Sequence, residues 1–590
     1  MAEIKRVFDL LKNYEKHFSK EVMVAGKFDG KWKIYSTEDF IHLVNDLSRA
    51  LAFKGIAKND KVALMSANRP EWNFCDFGVM QLGAAVVPLY PTLAEQDLQH
   101  ILKDAEVKMI FVSNAELYAK LRVALDAASS DIPVYSFDRI EGVTCWLDLL
   151  EEGKSKGIDL NEYRDAVSED DLLTLIYTSG TTGKPKGVCL SHLNLMSNVM
   201  ACQSLFPAEY KVAVSFLPLS HVFERMVVYI YFSLGISVYY AESMDTIIKD
   251  INDVKPNGFT TVPRVLEKVY EAIVAKGKAL TGIKKGIFFW ALDLGLKYKE
   301  PLNNSAFYNL QLKIARKLVF VKWQEALGGN VVALISGGAA LQERLARVFW
   351  AADIPVLEGY GLTETSPVIA VNGTRDDEIR FGTVGKVLSN LEVKIAEDGE
   401  VLCKGPSVFK NYYKNEQATA DVLDKDGFMH TGDIGELSKD GFLKITDRKK
   451  EMFKTSGGKF IAPQALENKF MESVLIAQVM VIGEGRRFPS ALIVPAFDQL
   501  KSWCKVKGIE WTNKEEIIKL PTVIDKYQRE IDRLNTDFGH WEQIKKFILL
   551  PKEWTIEASE LTPKLSLKRK VILSNNAQDI EALYAEGDSN

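Results

Sequence analysis

The segment LIYTSGTTGKPKGVCLSH, residues 175–192, carries two apolar runs joined by a polar loop. From Thr178 to Gly187 the loop supplies three glycines, four hydroxyls (Thr178, Ser179, Thr181 and Thr182) and two lysines, Lys184 and Lys186. Backbone N–H groups in such a turn converge on phosphate oxygens, and hydroxyl and ammonium groups add further contacts. A kinase-type phosphate loop needs G-x-x-x-x-G-K-[ST] opening a helix. Here Gly180 and Gly183 stand too close, Pro185 follows the first lysine, and no Ser or Thr takes the magnesium-holding place. GVCLSH also has strand character. The segment therefore predicts a hairpin whose loop closes over a triphosphate. A mobile surface turn is the competing reading, because Gly, Ser and Thr are common turn residues.

Around this segment, short apolar runs alternate with helical patterns. KVALMSA (61–67) and AVVPLYP (85–91) predict strands on either side of a helix at 71–84, and residues 98–113 predict a helix running into a strand. VAVSFLPLS and VVALISGG are strand-like and end in turn-forming residues. Strands alternating with helices make an α/β fold of helix-covered parallel sheets. From about residue 390 Asp-Gly pairs at 398–399, 426–427 and 440–441 signal hairpins, predicting a β-barrel-like subdomain. After DRKK (447–450) the pattern becomes helix then strand, as in a small α+β domain. A single core stops growing near roughly 250–300 residues, so a chain of 590 residues needs at least two domains. The boundary falls at 447–450, giving a large domain 1–447 and a small domain 448–590.

Composition is ordinary for a globular protein, at 47% hydrophobic and 26% charged. A net charge of −5 on this length argues against general nucleic-acid binding. Six scattered cysteines without a CxxC pair fit reduced core thiols and a reducing, cytoplasmic compartment. The N-terminal segment has charges on both sides of its apolar residues, unlike a signal peptide. MVVYIYFSLGISVYYA (226–241) is shorter than the roughly 20 residues of a spanning helix and predicts a buried helix passing into a buried strand.

YTSGTTGKPKGV resembles the signature of the adenylate-forming superfamily of acyl-CoA synthetases, luciferases and adenylation domains. LEGYGLTETSP (357–367), GTVGK (382–386), HTGDIGEL (430–437) and DRKKEMFKTSGGKFIAPQALEN (447–468) follow in the order that superfamily uses. Several matches in order, from about residue 30 to about residue 570, carry the resemblance. Within it, FLPLSHVFER, SGGAAL and the ending KTSGGKFIAPQALEN look most like long-chain fatty acyl-CoA synthetases. The resemblance implies a ligase that activates a long-chain fatty acid with ATP to acyl-AMP and pyrophosphate, then passes the acyl group to CoA.

It also implies roles for individual residues. Thr178 to Lys186 would hold the triphosphate and steady the departing pyrophosphate. Glu358 to Gly361 would serve the nucleotide, with Gly359 and Gly361 allowing close backbone approach and Tyr360 stacking on adenine. Gly338 and Ala339 would floor the pocket. Thr363 is similar to the residue near the α-phosphate, and Glu364 to the Mg2+ ligand, against a solvated loop carboxylate as the plain alternative. Asp433 and Arg448 resemble the ribose contacts, and Lys450 the hinge about which the small domain swings. Lys454, Gly457 and Gly458 would lie by the pantetheine path of CoA, and Arg264 near the nucleotide. His221 matches a position lining the acyl or pantetheine channel. A lone histidine is more often structural.

The C-terminal motif departs from the superfamily. ELTPKLSLKRK places Ser566 where the adenylation lysine is expected, with Lys564 two residues before and Lys568 two after. In an extended segment a shift of two keeps the same face, so either could serve. The span 276–322 holds ten Lys or Arg against two acids, interleaved with apolar residues. It predicts a helical pair with solvated lysines and core aromatics; the alternative is peripheral contact with anionic lipid. Two other functions stay open: adenylation of another acid or for a carrier-protein acceptor, and a non-catalytic acyl or nucleotide binder.

Overall fold

A computed structural model describes residues 4–154, 156–178, 184–555, 558–562 and 567–585. The chain divides into two compact units. Met1–Lys394, Leu402–Thr431 and Ser438–Leu443 form the larger, and Ile395–Val401, Gly432–Leu437 and Lys444–Asn590 the smaller.

The larger unit is built on two sheets. In the first, strands Lys61–Met65, Ala85–Leu89 and Met109–Val112 lie parallel at the centre. Leu172–Thr178 adds in parallel beside Ala85–Leu89, and Lys186–Ser191 closes that edge antiparallel. Val62, Ala63, Leu64 and Met65 are all fully buried, as are Ala85, Val86, Val87 and Leu89. Such unbroken apolar runs belong to parallel strands covered on both faces. The second sheet has nine strands. Its parallel centre runs Val356–Gly361, Leu334–Ser336, Gly258–Thr261, Val212–Ser215, Ser237–Tyr240, with antiparallel strands at both edges.

The helix Val222–Ser233 lines this second sheet, and every residue of it except Phe223 is buried. A helix apolar nearly all round belongs in a core. It also carries two charges inside, Glu224 and Arg225. Arg225 is paired with the buried carboxylate of Asp76 and donates 2.7 Å bonds to the Tyr229 hydroxyl and Thr174 Oγ1. The predicted passage from buried helix to buried strand at 226–241 is what the chain does here. All six cysteines are buried and free.

Residues 392–448 form a four-stranded sheet in the order Glu392–Ile395, Glu400–Lys404, Met429–Leu437, Leu443–Arg448. Gly399, Gly427 and Gly441 take positive φ of 87°, 81° and 85° at the three Asp-Gly turns, the conformation glycine adopts without steric cost. The smaller unit has its own core, from Phe453 to Tyr584. That core packs helices Pro463–Phe470 and Pro521–Asn535 with a sheet in the order Ile476–Ile482, Ser490–Pro495, Lys546–Leu549. Among the described residues no helix is long and apolar enough to cross a membrane.

Candidate active site

Strands Leu172–Thr178 and Lys186–Ser191 form the predicted hairpin, with Tyr177 opposite Gly187 and Thr178 opposite Lys186. The tip residues Ser179, Gly180, Thr181, Thr182 and Gly183 lie outside the described residues. Lys184 is exposed, and Lys186 is half-buried at the start of the returning strand.

That strand is held on its other side by the segment 409–413. Tyr413 N donates to Gly187 O at 2.7 Å, and Cys189 N to Asn411 O at 3.2 Å. The pairing brings Tyr412 to the hairpin, with Lys186 Nζ 5.3 Å from its ring centroid. The Tyr412 hydroxyl donates a 2.8 Å bond to Glu364 Oε1. Phe409 N donates to the Glu364 carbonyl at 2.8 Å. Burial, reinforced by the Glu364 carboxylate, drives the Tyr412 hydroxyl well above its ordinary value, so it stays a proton donor. Glu364 is thus an oriented carboxylate rather than a free loop side chain. Tyr412 is a site residue that the sequence does not announce; the aromatic pair in FKNYYKN is its only local sign.

The strand Val356–Gly361 leads into Thr363 and Glu364. A Cβ at Gly361 would fall 1.7 Å from Pro367 O. Glycine is therefore required there by the chain's own fold. A Cβ at Gly359 would meet Val371 at an ordinary 3.5 Å. Tyr360 is half-buried between them, and Thr363 is buried in the short turn that follows. Glu358 accepts a 2.9 Å bond from Leu341 N, and burial raises its carboxyl to about 8. Its role in the structure is thus to tether SGGAAL.

In that segment Gly338 has φ +82° and nothing closer to its Cβ position than Val262 Cγ1 at 4.0 Å. Gly338 and Ala339 are both exposed, making a bare shelf. Arg264 sits at the start of helix Pro263–Ala279 and pairs with Glu267 at 3.0 Å. Glu267 in turn accepts from Gln342 Nε2 at 2.9 Å.

His221 is the N-cap of helix Val222–Ser233, where its Nδ1 accepts from Phe223 N at 3.1 Å. A side-chain acceptor satisfies an otherwise orphaned N–H there, so this nitrogen serves the helix. Next to it, Phe223, Phe206, Tyr210, Met226, Val227 and Ile335 help to line an apolar cavity of about 30 Å3. A Cβ at Gly337 would fall 3.3 Å from the Phe223 ring, so the cavity wall abuts the glycine shelf.

In the smaller unit, Asp433 is buried and Arg448 Nε lies 3.5 Å from its Oδ1. Lys449 bonds Asp398 and Glu400 at 2.6 and 2.7 Å, and Lys450 is exposed beside it. Lys454 ends the first strand of a two-stranded hairpin, Phe453–Lys454 with Phe460–Ile461. Gly457 and Gly458 are exposed in its turn, and Lys454 Nζ stands 4.5 Å from the Phe460 ring centroid. Lys564 and Ser566 lie outside the described residues. Lys568 is the non-helical N-cap residue of helix Arg569–Asn575; Leu567 before it bridges Leu561 antiparallel, and Lys568 N donates to Glu560 O at 2.8 Å.

Residues 11–413 match the AMP-binding enzyme family, and residues 451–588 match the AMP-binding enzyme C-terminal domain. The chain belongs to the AMP-binding enzyme family. Among curated members, the long-chain-fatty-acid–CoA ligase FadD15 of Mycobacterium bovis is 32% identical, over 99% of this chain and 98% of that one. Long-chain-fatty-acid–CoA ligase 1 of Homo sapiens is 30% identical, over 95% of this chain and 83% of its own. Among solved structures, the adenylation domain of a carboxylate reductase from Mycobacterium chelonae superposes with a TM-score of 0.75 at 22% identity, covering 99% of this chain and 92% of that one. The anthranilate CoA ligase AuaEII, in complex with anthranoyl-AMP, gives 0.72 at 17% identity, covering 97% of each. At these identities the structural matches speak for the fold.

Proposed function

We propose that this member of the family is an AMP-forming ligase joining long-chain fatty acids to CoA. The observation that carries the proposal is the carboxylate of Glu364, oriented by Tyr412 beside Lys186 at the root of the glycine-rich hairpin. Full-length similarity to named long-chain ligases supports the substrate class.

A carboxylate is a poor acyl donor because oxide is a poor leaving group. In the first step its oxygen attacks the α-phosphorus of ATP, the α–β bridge breaks, and pyrophosphate leaves with the electron pair. In the second the CoA thiol adds to the acyl carbon, AMP leaves, and the thiol proton passes to solvent. Little covalent work falls to the protein, so positioning and electrostatics supply most of the rate. Lys184, Lys186 and the loop hydroxyls hold the β- and γ-phosphates. Thr363 lies next to the α-phosphate. Asp433 and Arg448 take the ribose hydroxyls, Lys454 with Gly457 and Gly458 the pantetheine, and Lys450 is the hinge between domains 1–447 and 448–590.

Magnesium is commonly held by one or two carboxylates together with substrate phosphates. Among the described residues no group of three or more His, Cys, Asp or Glu could hold a metal alone. Glu364 fits the one-carboxylate pattern, since Tyr412 engages Oε1 and leaves Oε2 without a hydrogen bond of its own among the described residues. When bound, the ion would neutralise charge on the phosphates. The acyl chain enters along Phe223, Met226 and Val227. The cavity of about 30 Å3 holds far less than a long chain, so this reading requires those side chains to move aside on binding.

Pyrophosphate exchange with a panel of acids, followed by CoA or a carrier protein, tests the reading. Exchange that depends on long-chain acids, with thioester formed on CoA, is expected. Exchange without CoA-dependent turnover supports another acceptor, and no exchange with any acid supports a non-catalytic binder.

A further inference from the structure

The lysines of the basic span 276–322 face solvent as expected, but its aromatics divide: Phe288 and Phe320 are buried, whereas Trp290 and Phe307 are exposed. Helix Ala306–Ala315 and the turn Arg316–Phe320 bury Leu312, Ala315, Val319 and Phe320 against the second core of the larger unit. They carry a second apolar stripe as well. Phe307, Leu310, Ile314 and Leu318 are 71%, 58%, 48% and 54% exposed. Spacings of three and four residues put the four on one helical face. Helix Gly282–Leu296, packed beside it, exposes Ile283 and Trp290. Single exposed apolar residues are ordinary, but a row of them marks an interaction surface.

Charge says what kind of surface. Lys284, Lys285, Lys313 and Lys317 are exposed, and none has an ion pair among the described residues. The whole chain is net −5, so an anionic surface would repel it on average. The ten basic against two acidic residues of 276–322 reverse the sign locally. A bulky apolar row bordered by unpaired lysines has the composition of a helix lying in a lipid interface, with rings and aliphatic groups among the acyl chains and ammonium groups at the headgroups.

We propose that the Phe307–Leu310–Ile314–Leu318 face is a docking surface for anionic phospholipid bilayers. The inference concerns binding and stands whether or not the ligase reading holds. Its contribution to function would be delivery, since fatty acids dissolve in bilayers.

The test is partition of the full-length protein onto vesicles of phosphatidylcholine alone or with phosphatidylglycerol, together with sedimentation equilibrium without lipid. Wild type is expected on the phosphatidylglycerol vesicles, with binding weakened by salt. Phe307→Ser/Leu310→Ser should lower partition about tenfold or more, because each removes a large apolar contact from the interface. Lys313→Glu/Lys317→Glu should abolish the preference for anionic vesicles. All four positions are exposed and none belongs to the active site, so an unchanged melting temperature serves as the folding control. Equal binding of wild type to both vesicle types, or unchanged binding of the serine variant, overturns the proposal. So does a lipid-free dimer that the serine variant dissociates while vesicle binding is unaffected, which would assign the face to a second copy of the chain.

Discussion

Replacing Tyr412 by Phe removes one hydroxyl and leaves the ring that packs on Phe409. A hydrogen bond to a charged group contributes about 1.5–3 kcal/mol. If Glu364 needs that bond to face its metal and phosphate, Tyr412→Phe lowers adenylation about ten- to a hundredfold and shifts its magnesium requirement upward, with little change in melting temperature. A loss confined to stability would show that Tyr412 only packs. Gly361→Ala behaves in the opposite way. Its Cβ collides with Pro367 O, so the strand must move, at a cost of about 1–3 kcal/mol or more, and melting temperature falls even without substrate. Glu224 gives a pH signature. It is buried on helix Val222–Ser233, accepts from the Thr260 hydroxyl, and neighbours the tyrosines 210, 231 and 240. Burial raises its carboxyl from 4.5 to about 7. The native state therefore binds more protons than the unfolded chain between those values, and the stability this group contributes falls as pH rises from 4.5 to about 7. The loss is about 3 kcal/mol. Urea unfolding of Glu224→Gln against wild type should show the variant gaining by that order between pH 5 and pH 8; parallel curves would contradict it.

At the scale of elements, the helix Val222–Ser233 is fixed by charges rather than by apolar packing alone. Arg225 joins it to Asp76 on helix Pro70–Met80 and to Thr174 on the strand leading to the glycine-rich loop. Removing one partner of a buried pair costs about 3–5 kcal/mol, because the other is left uncompensated. Asp76→Ala is expected to destabilise by that amount in urea unfolding, whereas Asp76→Ala combined with Arg225→Met should recover part of it. These elements show what a sequence discloses. The hairpin at 172–191 was legible because strand patterning and turn residues are local. The Asp-Gly turns were legible for the same reason. Tyr412 was not, because its link to Glu364 spans 48 residues of chain and depends on a strand pairing that no periodicity encodes. The pairing of Arg225 with Asp76 was hidden likewise, although two charges beside a long apolar run hint at a buried need.

At the scale of the whole molecule, family membership rests on matches over both units. Motif order along the sequence already pointed there, since independent motifs in one order are a property of the chain rather than of any loop. Acid specificity was less legible. The cavity proposed for the acyl chain is walled by side chains as far apart in the chain as Phe206, Met226 and Ile335, a convergence that no local pattern encodes. The central claim is that this cavity admits long acyl chains for transfer to CoA. The measurement that tests it most directly is the rate of CoA thioester formation against acid chain length from acetate to stearate, at saturating ATP and magnesium. The account predicts kcat/KM rising by orders of magnitude towards palmitate, with AMP and thioester formed in equal amounts. A maximum at acetate or at an aromatic acid, or AMP released without thioester, would contradict it.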